Sequence, residues 1–267
     1  MEQDQASIAS AIDTPLPCMP IRAGLHELAE ARYGDHTAVT GFALAASLDA
    51  KLAERGENAR PTEPAVLWIS GPHVSREHGD IFEAGVRGLG FRPQAIIRVQ
   101  PRKAIDALWC IEEGAKSGAL SRVFAEIEAL DFTASRRLSL ITARTGVSIV
   151  CLMPWHRQGA SAATTRWRIS AQPSATNPFD QQSPGALRWR AMLERAREAP
   201  NLIGRSFDLE FDHAALRLHL VSGLAANPAG ALAAPTTKPR SRPADTSPAS
   251  ITRLGAGPRG QFSRRFG

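Results

Sequence analysis

Phosphate chemistry is the first possibility this chain raises, in the stretch from Arg22 to Leu52. A short apolar strand, Gly24-Leu25-His26-Glu27-Leu28, leads into the loop Ala29 to His36, and a helical run follows from Thr37 to Leu48. Strand, loop and helix are the setting of a phosphate-binding loop. That loop needs two glycines and a Gly-Lys-Ser/Thr ending, so that backbone N–H groups and an ammonium can hold the phosphates. Here the local glycines are Gly34 and Gly41, and no lysine precedes Lys51. The setting is present without the chemistry, which moves the expected function from hydrolysis to binding.

A hydrolytic site would also need an acid at the end of a central strand to hold Mg²⁺. The corresponding run ends Val123-Phe124-Ala125-Glu126-Ile127-Glu128, so Glu126 could be that acid, with Glu128 two residues on. Alternation along a strand puts the two on one face. With no phosphate loop to deliver a nucleotide, the favoured reading is solvated or helix-capping carboxylates. His73 and His78 accompany Glu77 and Asp80, but Gly71-Pro72 and Gly79 point to a loop there rather than a metal-binding helix. Cys18, Cys110 and Cys151 have no CxxC or Cys/His spacing, and their odd number argues against a disulfide framework. No catalytic residue, cofactor site or metal site is expected.

Basic residues offer a second kind of chemistry. Arg136 and Arg137 begin a helix, where positive charge is mildly unfavourable to the dipole and an acidic partner would relieve it. Arg166-Trp167-Arg168 and Arg188-Trp189-Arg190 repeat one triplet. In a strand each pair of arginines shares one face and the tryptophan takes the other. Outward arginines could meet phosphate or an acidic protein surface. Lys238, Arg240, Arg242, Arg264 and Arg265 complete the candidates for partner or DNA contact. With Arg253 and Arg259 they face a single acid, Asp245, in the stretch from Ala226 to Gly267. That stretch accounts for the whole net charge of +6, so the rest of the chain has no overall electrostatic case for DNA binding. Gln261-Phe262-Ser263-Arg264-Arg265-Phe266 carries the outer residues of a sliding-clamp peptide but lacks its central leucine.

Positioning elements alternate along the chain. Ala65-Val66-Leu67-Trp68-Ile69 suits a strand buried on both faces, and Ala95 to Val99, Arg122 to Ile127 and Val147 to Met153 are further strands. Helical spacing covers Ile81 to Leu89, Lys103 to Lys116 and Ala134 to Thr145, the last capped by Asp131 or Thr133 and stopped by Gly146. Such alternation implies a mostly parallel sheet covered on both faces. Four later segments, Thr165 to Ser170, Leu187 to Leu193, Ser206 to Phe211 and Leu216 to Val221, alternate with period two and read as antiparallel strands. The expected organisation is an irregular arm over 1–20, an α/β domain over 21–221 with a β extension over 160–221, and a disordered basic tail over 222–267. The first residues lack the basic and apolar regions of a signal peptide, and no apolar run reaches the ~20 residues of a membrane helix. A cytoplasmic, nucleoid-associated protein is expected.

Several blocks resemble one family. They are Gly24-Leu25-His26-Glu27-Leu28, the run Ala107-Leu108-Trp109-Cys110-Ile111-Glu112-Glu113 with Ser117-Gly118-Ala119-Leu120 and Val123-Phe124-Ala125-Glu126, Leu130-Asp131-Phe132-Thr133-Ala134-Ser135-Arg136-Arg137-Leu138, and the segment Gly159 to Arg168. The chain is similar over Ile21 to Val221 to the ImuA proteins, RecA-like accessory proteins of the bacterial mutagenesis cassette. The resemblance implies a RecA-like fold and a non-catalytic role in damage-induced, error-prone translesion DNA synthesis. The implied partners are ImuB, an inactive Y-family polymerase relative, an error-prone replicative-type polymerase, and RecA. RecA also uses an acid near the end of its second strand for hydrolysis; here that place is Ser70-Gly71-Pro72. The competing readings are a divergent ATP-dependent recombinase-like DNA-binding protein and an SOS inhibitor of cell division.

Overall fold

The computed structural model describes residues 21–54, 65–177, 179–180 and 182–221, and within the first helix the side chains as far as residue 48. The expected arm, basic tail and clamp-like peptide lie outside the described residues, as do Lys238, Arg240, Arg242, Arg264 and Arg265.

Strands and helices follow in the order β1 (Gly24–Glu30), α1 (His36–Glu54), β2 (Ala65–Ser70), α2 (Pro72–His78), α3 (Glu83–Gly88), β3 (Ile96–Val99), α4 (Ala104–Lys116), β4 (Leu120–Glu126), α5 (Phe132–Thr145), β5 (Ser148–Met153), β6 (Thr165–Gln172), β7 (Arg188–Ala196), β8 (Ser206–Asp212) and β9 (Arg217–Leu220). They build one sheet in the order β3-β2-β4-β5-β1-β6-β7-β8-β9. Pairings from β3 through β6 are parallel, and those from β6 through β9 are antiparallel. The fold is therefore the α/β architecture expected, a mostly parallel sheet flanked by helices with a C-terminal antiparallel extension.

The patterning explains the layers. β1 and β5 lie at the centre of the sheet and are buried almost throughout, as two-sided cover demands. On one face α1 packs Val39, Phe42, Ala43 and Leu44 against Trp68, Phe124, Trp167 and Trp189. On the other, α4 and α5 bring Ile111, Leu138 and Ile141 onto Leu25, Ile69, Val123 and Ile149. Gly114 permits close approach on this second face: a Cβ there would lie 2.5 Å from Leu67 Cδ2, which would have to shift. Asp131 caps α5, accepting from Ala134 N at 2.7 Å, and Gly146 ends it in the left-handed region at φ 71.

Three local expectations change. Residues 72–78 are helical rather than a loop: Pro72 sits at the first helical position, where its missing N–H costs nothing, and Gly79 stops the helix at φ 81. The helix expected from Ile81 to Leu89 is shorter, Glu83–Gly88. β6 belongs to both halves of the sheet, parallel to β1 and antiparallel to β7, because its alternating pattern reports one-sided exposure and not strand direction.

Candidate functional site

The carboxyl end of β1 delivers Glu30, buried at 2% exposure, to the place where a phosphate loop would begin. The turn that follows contains Gly34 at φ 96. The Asp35 backbone carbonyl accepts from Val39 N as α1 starts, and the Asp35 carboxylate accepts from Ala171 N at 3.3 Å. In a Gly-x₄-Gly-Lys-Ser/Thr loop the lysine comes six residues after the first glycine. Counted from Glu30, that position is His36, followed by Thr37, with Asp35 in place of the second glycine. Carboxylates thus stand where both glycines would be, and an imidazole stands for the ammonium. The missing Gly-Lys-Thr was legible in the sequence; the substitution of His36 for the lysine was not, although its spacing was available.

His36 joins two strands that β5 separates. Its Nδ1 faces Glu30 Oε1 at 3.3 Å and its Nε2 faces Glu126 Oε1 at 3.1 Å. Burial opposes the protonated ring, but the hydrogen bonds to Glu126 and Glu30 outweigh it and raise the pKa to about 9. The imidazolium therefore donates to a carboxylate at each end. His78, the last residue of α2, stacks on it with ring centroids 3.9 Å apart and planes 11° from parallel. Cavities of about 620 Å³ and about 370 Å³ border this group, and His36, His78 and Glu126 line both.

This arrangement corrects the reading of Glu126 and Glu128 as solvated or capping carboxylates on one face. Glu126 is buried and bonded to His36. Glu128 lies past the end of β4, where alternation no longer governs direction, and its exposed carboxylate approaches His73 at 3.5 Å. His73 and His78, five residues apart on a helix, also part company. His73 faces Glu77 and Glu128 in solvent, while His78 lies against His36.

A second buried centre forms around Glu27 of β1, which is fully buried. Arg157 Nη2 lies 2.5 Å from Oε2 and Arg166 Nε 3.1 Å from it, while Ser161 Oγ donates to Oε1. Ala162 N donates to Ser135 Oγ at 3.0 Å. The Arg157–Glu27 ion pair and these hydrogen bonds tie the loop between β5 and β6 to the centre of the sheet and to α5.

No profile of a known protein family matches the chain. Protein ImuA of Caulobacter vibrioides, from strain NA1000 / CB15N and from strain ATCC 19089 / CIP 103742 / CB 15, is 32% identical over 187 residues, which cover 65% of this chain and 70% of the relative. The chain belongs to the ImuA family.

The arginine candidates of this ImuA-family chain have diverse surroundings. Arg166 holds Glu27 and Arg168 holds Glu194. Arg168 Nη1 also donates to the carbonyls of Glu30 and Trp155, at 3.0 and 2.8 Å. Across the β7–β8 ladder Arg188 meets Glu210 at 2.6 Å, and Arg190 grips Asp208 with two bonds of 2.7 and 2.9 Å. Arg137 meets Glu112 at 2.5 Å. Arg136 is exposed and lines a groove of about 580 Å³ with Phe132, Leu140, Arg166, Arg195 and Arg197. The fold thus brings Arg136 and Arg166 to one groove and leaves Arg188 and Arg190 on another part of the sheet. Trp167 and Trp189 are buried, on the face opposite their arginines. Among the described residues no helix is long and apolar enough to cross a membrane.

Proposed function

We propose that the chain is a non-catalytic, RecA-like adaptor in damage-induced, error-prone translesion DNA synthesis, assembling with an ImuB-type inactive polymerase relative and an error-prone replicative-type polymerase. The observation that carries the pseudo-enzyme reading is His36 held between Glu30 and Glu126. A phosphate loop offers a triphosphate open N–H groups and a mobile ammonium. Here His36, at the lysine's place, is engaged at both ring nitrogens, and the carboxylates of Glu30, Asp35 and Glu126 repel phosphate oxygens. The end of β2 supports the same reading, since Ser70 stands there with its Oγ 3.4 Å from Ser75 Oγ and supplies no general base. A protein with this fold and no turnover retains surfaces, and assembly is what surfaces can do.

The test pairs nucleotide binding with partner capture. The purified chain should bind ATP weakly or not at all, show no turnover with or without single-stranded DNA, and co-purify with an ImuB-type protein. DNA-stimulated hydrolysis abolished by Glu126→Gln sinks the pseudo-enzyme reading, and absence of any complex with an ImuB-type protein sinks the adaptor.

A further inference from the structure

Four side chains, Glu30, Glu126, His36 and His78, converge at the carboxyl end of the parallel strands, and one buried carboxylate oxygen among them has no partner. Glu30 and Glu126 bring two buried carboxylates, and His36 between them can carry one positive charge. Glu30 Oε1 faces His36, but Glu30 Oε2 is buried with no hydrogen-bond partner. An unsatisfied carboxylate oxygen out of water is costly and calls for a cation. One ligand atom from each of Glu30, His36 and His78 lies within 4.8 Å of the others.

We propose that Glu30, His36 and His78 form a binding site for a divalent first-row transition-metal ion, with zinc as the representative. Two imidazoles and a carboxylate suit such ions, whereas Mg²⁺ and Ca²⁺ prefer oxygen ligands alone. His36 would ligate through Nδ1, the nitrogen that faces Glu30. Its Nε2–H then donates to Glu126, the carboxylate–histidine–metal arrangement that fixes the tautomer and strengthens the ligand. The ion replaces the Nδ1 proton. A charge of +2 then meets two carboxylates and two neutral imidazoles, and the cluster is neutral.

The stacked rings define the movement required. An ion between two nearly parallel rings lies in the plane of neither, so His78 must turn to aim a nitrogen at it. His78 has the means: it ends α2 beside Gly79, its side chain is partly exposed, and it borders the cavity of about 620 Å³. Three protein ligands leave the remaining coordination positions to water or a ligand from that cavity. The ion would cross-link β1, α1 and α2.

The metal site shares Glu30 and His36 with the pseudo-enzyme reading, but the two tests separate: ATP turnover would overturn that reading and leave a zinc count untouched, and a zinc-free protein would leave the adaptor intact. Its test uses the full chain, stripped with EDTA, dialysed against zinc chloride and counted by elemental analysis. One zinc per chain is expected for the wild type and for His73→Ala, which removes the exposed histidine of the same helix. His78→Ala and Glu30→Gln, each checked for folding by circular dichroism, should bind zinc at least about tenfold more weakly. Cobalt in place of zinc should give a visible absorption band that His78→Ala removes. The proposal is overturned if the wild type retains no zinc, if both site variants retain it undiminished, or if His73→Ala alone abolishes it.

Discussion

Glu27 and Arg157 lie 2.5 Å apart, and both side chains are almost completely out of water. Arg166 and Ser161 complete the same centre, so one carboxylate on β1 anchors the loop between β5 and β6 at Arg157 and Ser161. A buried pair of this kind contributes little relative to an apolar pair, but removing one member strands the other. Glu27→Ala should cost about 3–5 kcal/mol in urea unfolding, with Arg157→Ala in the same range. Because they share one interaction, the double variant should cost less than the sum of the two. Additive losses in that double-mutant cycle would show that the pair does not act as a unit.

The two faces of the β6–β7 ladder should respond oppositely to truncation. Trp167 is fully buried against Phe207, and Trp167→Ala should destabilise by about 3–5 kcal/mol. Arg190 pairs with Asp208 in a half-exposed position, and Arg190→Ala should change stability by less than about 1 kcal/mol. Thermal or urea unfolding reads both. A larger loss from the arginine than from the tryptophan contradicts the burial assigned to these faces.

His26 ties stability to acid. Its ring is enclosed between Thr165 Oγ1 at 2.8 Å and the Arg22 carbonyl at 2.9 Å. Burial first, with the nearby positive charge of Arg122 adding to it, lowers the pKa to about 4 against the opposing hydrogen bond to the Arg22 carbonyl. In the unfolded chain the ring protonates near pH 6.5. Between those values the unfolded state binds a proton that the folded state does not, so stability falls as pH drops from about 6.5 and this contribution levels off near pH 4. The loss is on the order of 3 kcal/mol over that window. His26→Asn should flatten this part of the stability–pH curve, measured by urea unfolding between pH 4 and 7; an unchanged curve assigns the acid sensitivity elsewhere.

Gly114 marks the tightest approach of α4 to the sheet. A methyl group there meets Leu67 Cδ2 at 2.5 Å and Leu120 Cδ1 at 3.3 Å. The helix gains from alanine's higher propensity, by about 1 kcal/mol, but overpacking costs about 1–3 kcal/mol. Gly114→Ala should therefore be neutral to destabilising, and Gly114→Val clearly destabilising. A stabilised valine variant in thermal unfolding would mean that α4 has slack against β2.

Much of the fold was written in local pattern. Continuous apolar runs such as Val66-Leu67-Trp68-Ile69 specify strands covered on both faces, and Asp131 with Gly146 brackets α5 by local hydrogen bonding and a left-handed stop. Period-two alternation decided that Trp167 and Trp189 take one face and their arginines the other, because successive side chains of a strand point to opposite faces, but not that Arg166 and Arg168 would be mostly buried against Glu27 and Glu194. The absent Gly-Lys-Thr was equally plain, since a phosphate loop is contiguous. Alternation carried no information on strand direction, and so β6 could not be recognised from its residues as the seam between parallel and antiparallel halves. Nor could any pattern pair Arg188 with Glu210 or Arg190 with Asp208, whose partners arrive from the neighbouring strand. The same limit hid the cluster around His36. Its two carboxylates are six and ninety residues away, and only the crossovers that set β5 between β4 and β1 bring them within hydrogen-bond reach of one ring. Elements follow from neighbours along the chain, where sterics and periodicity act. The charged centres follow from neighbours across the sheet, which packing alone selects.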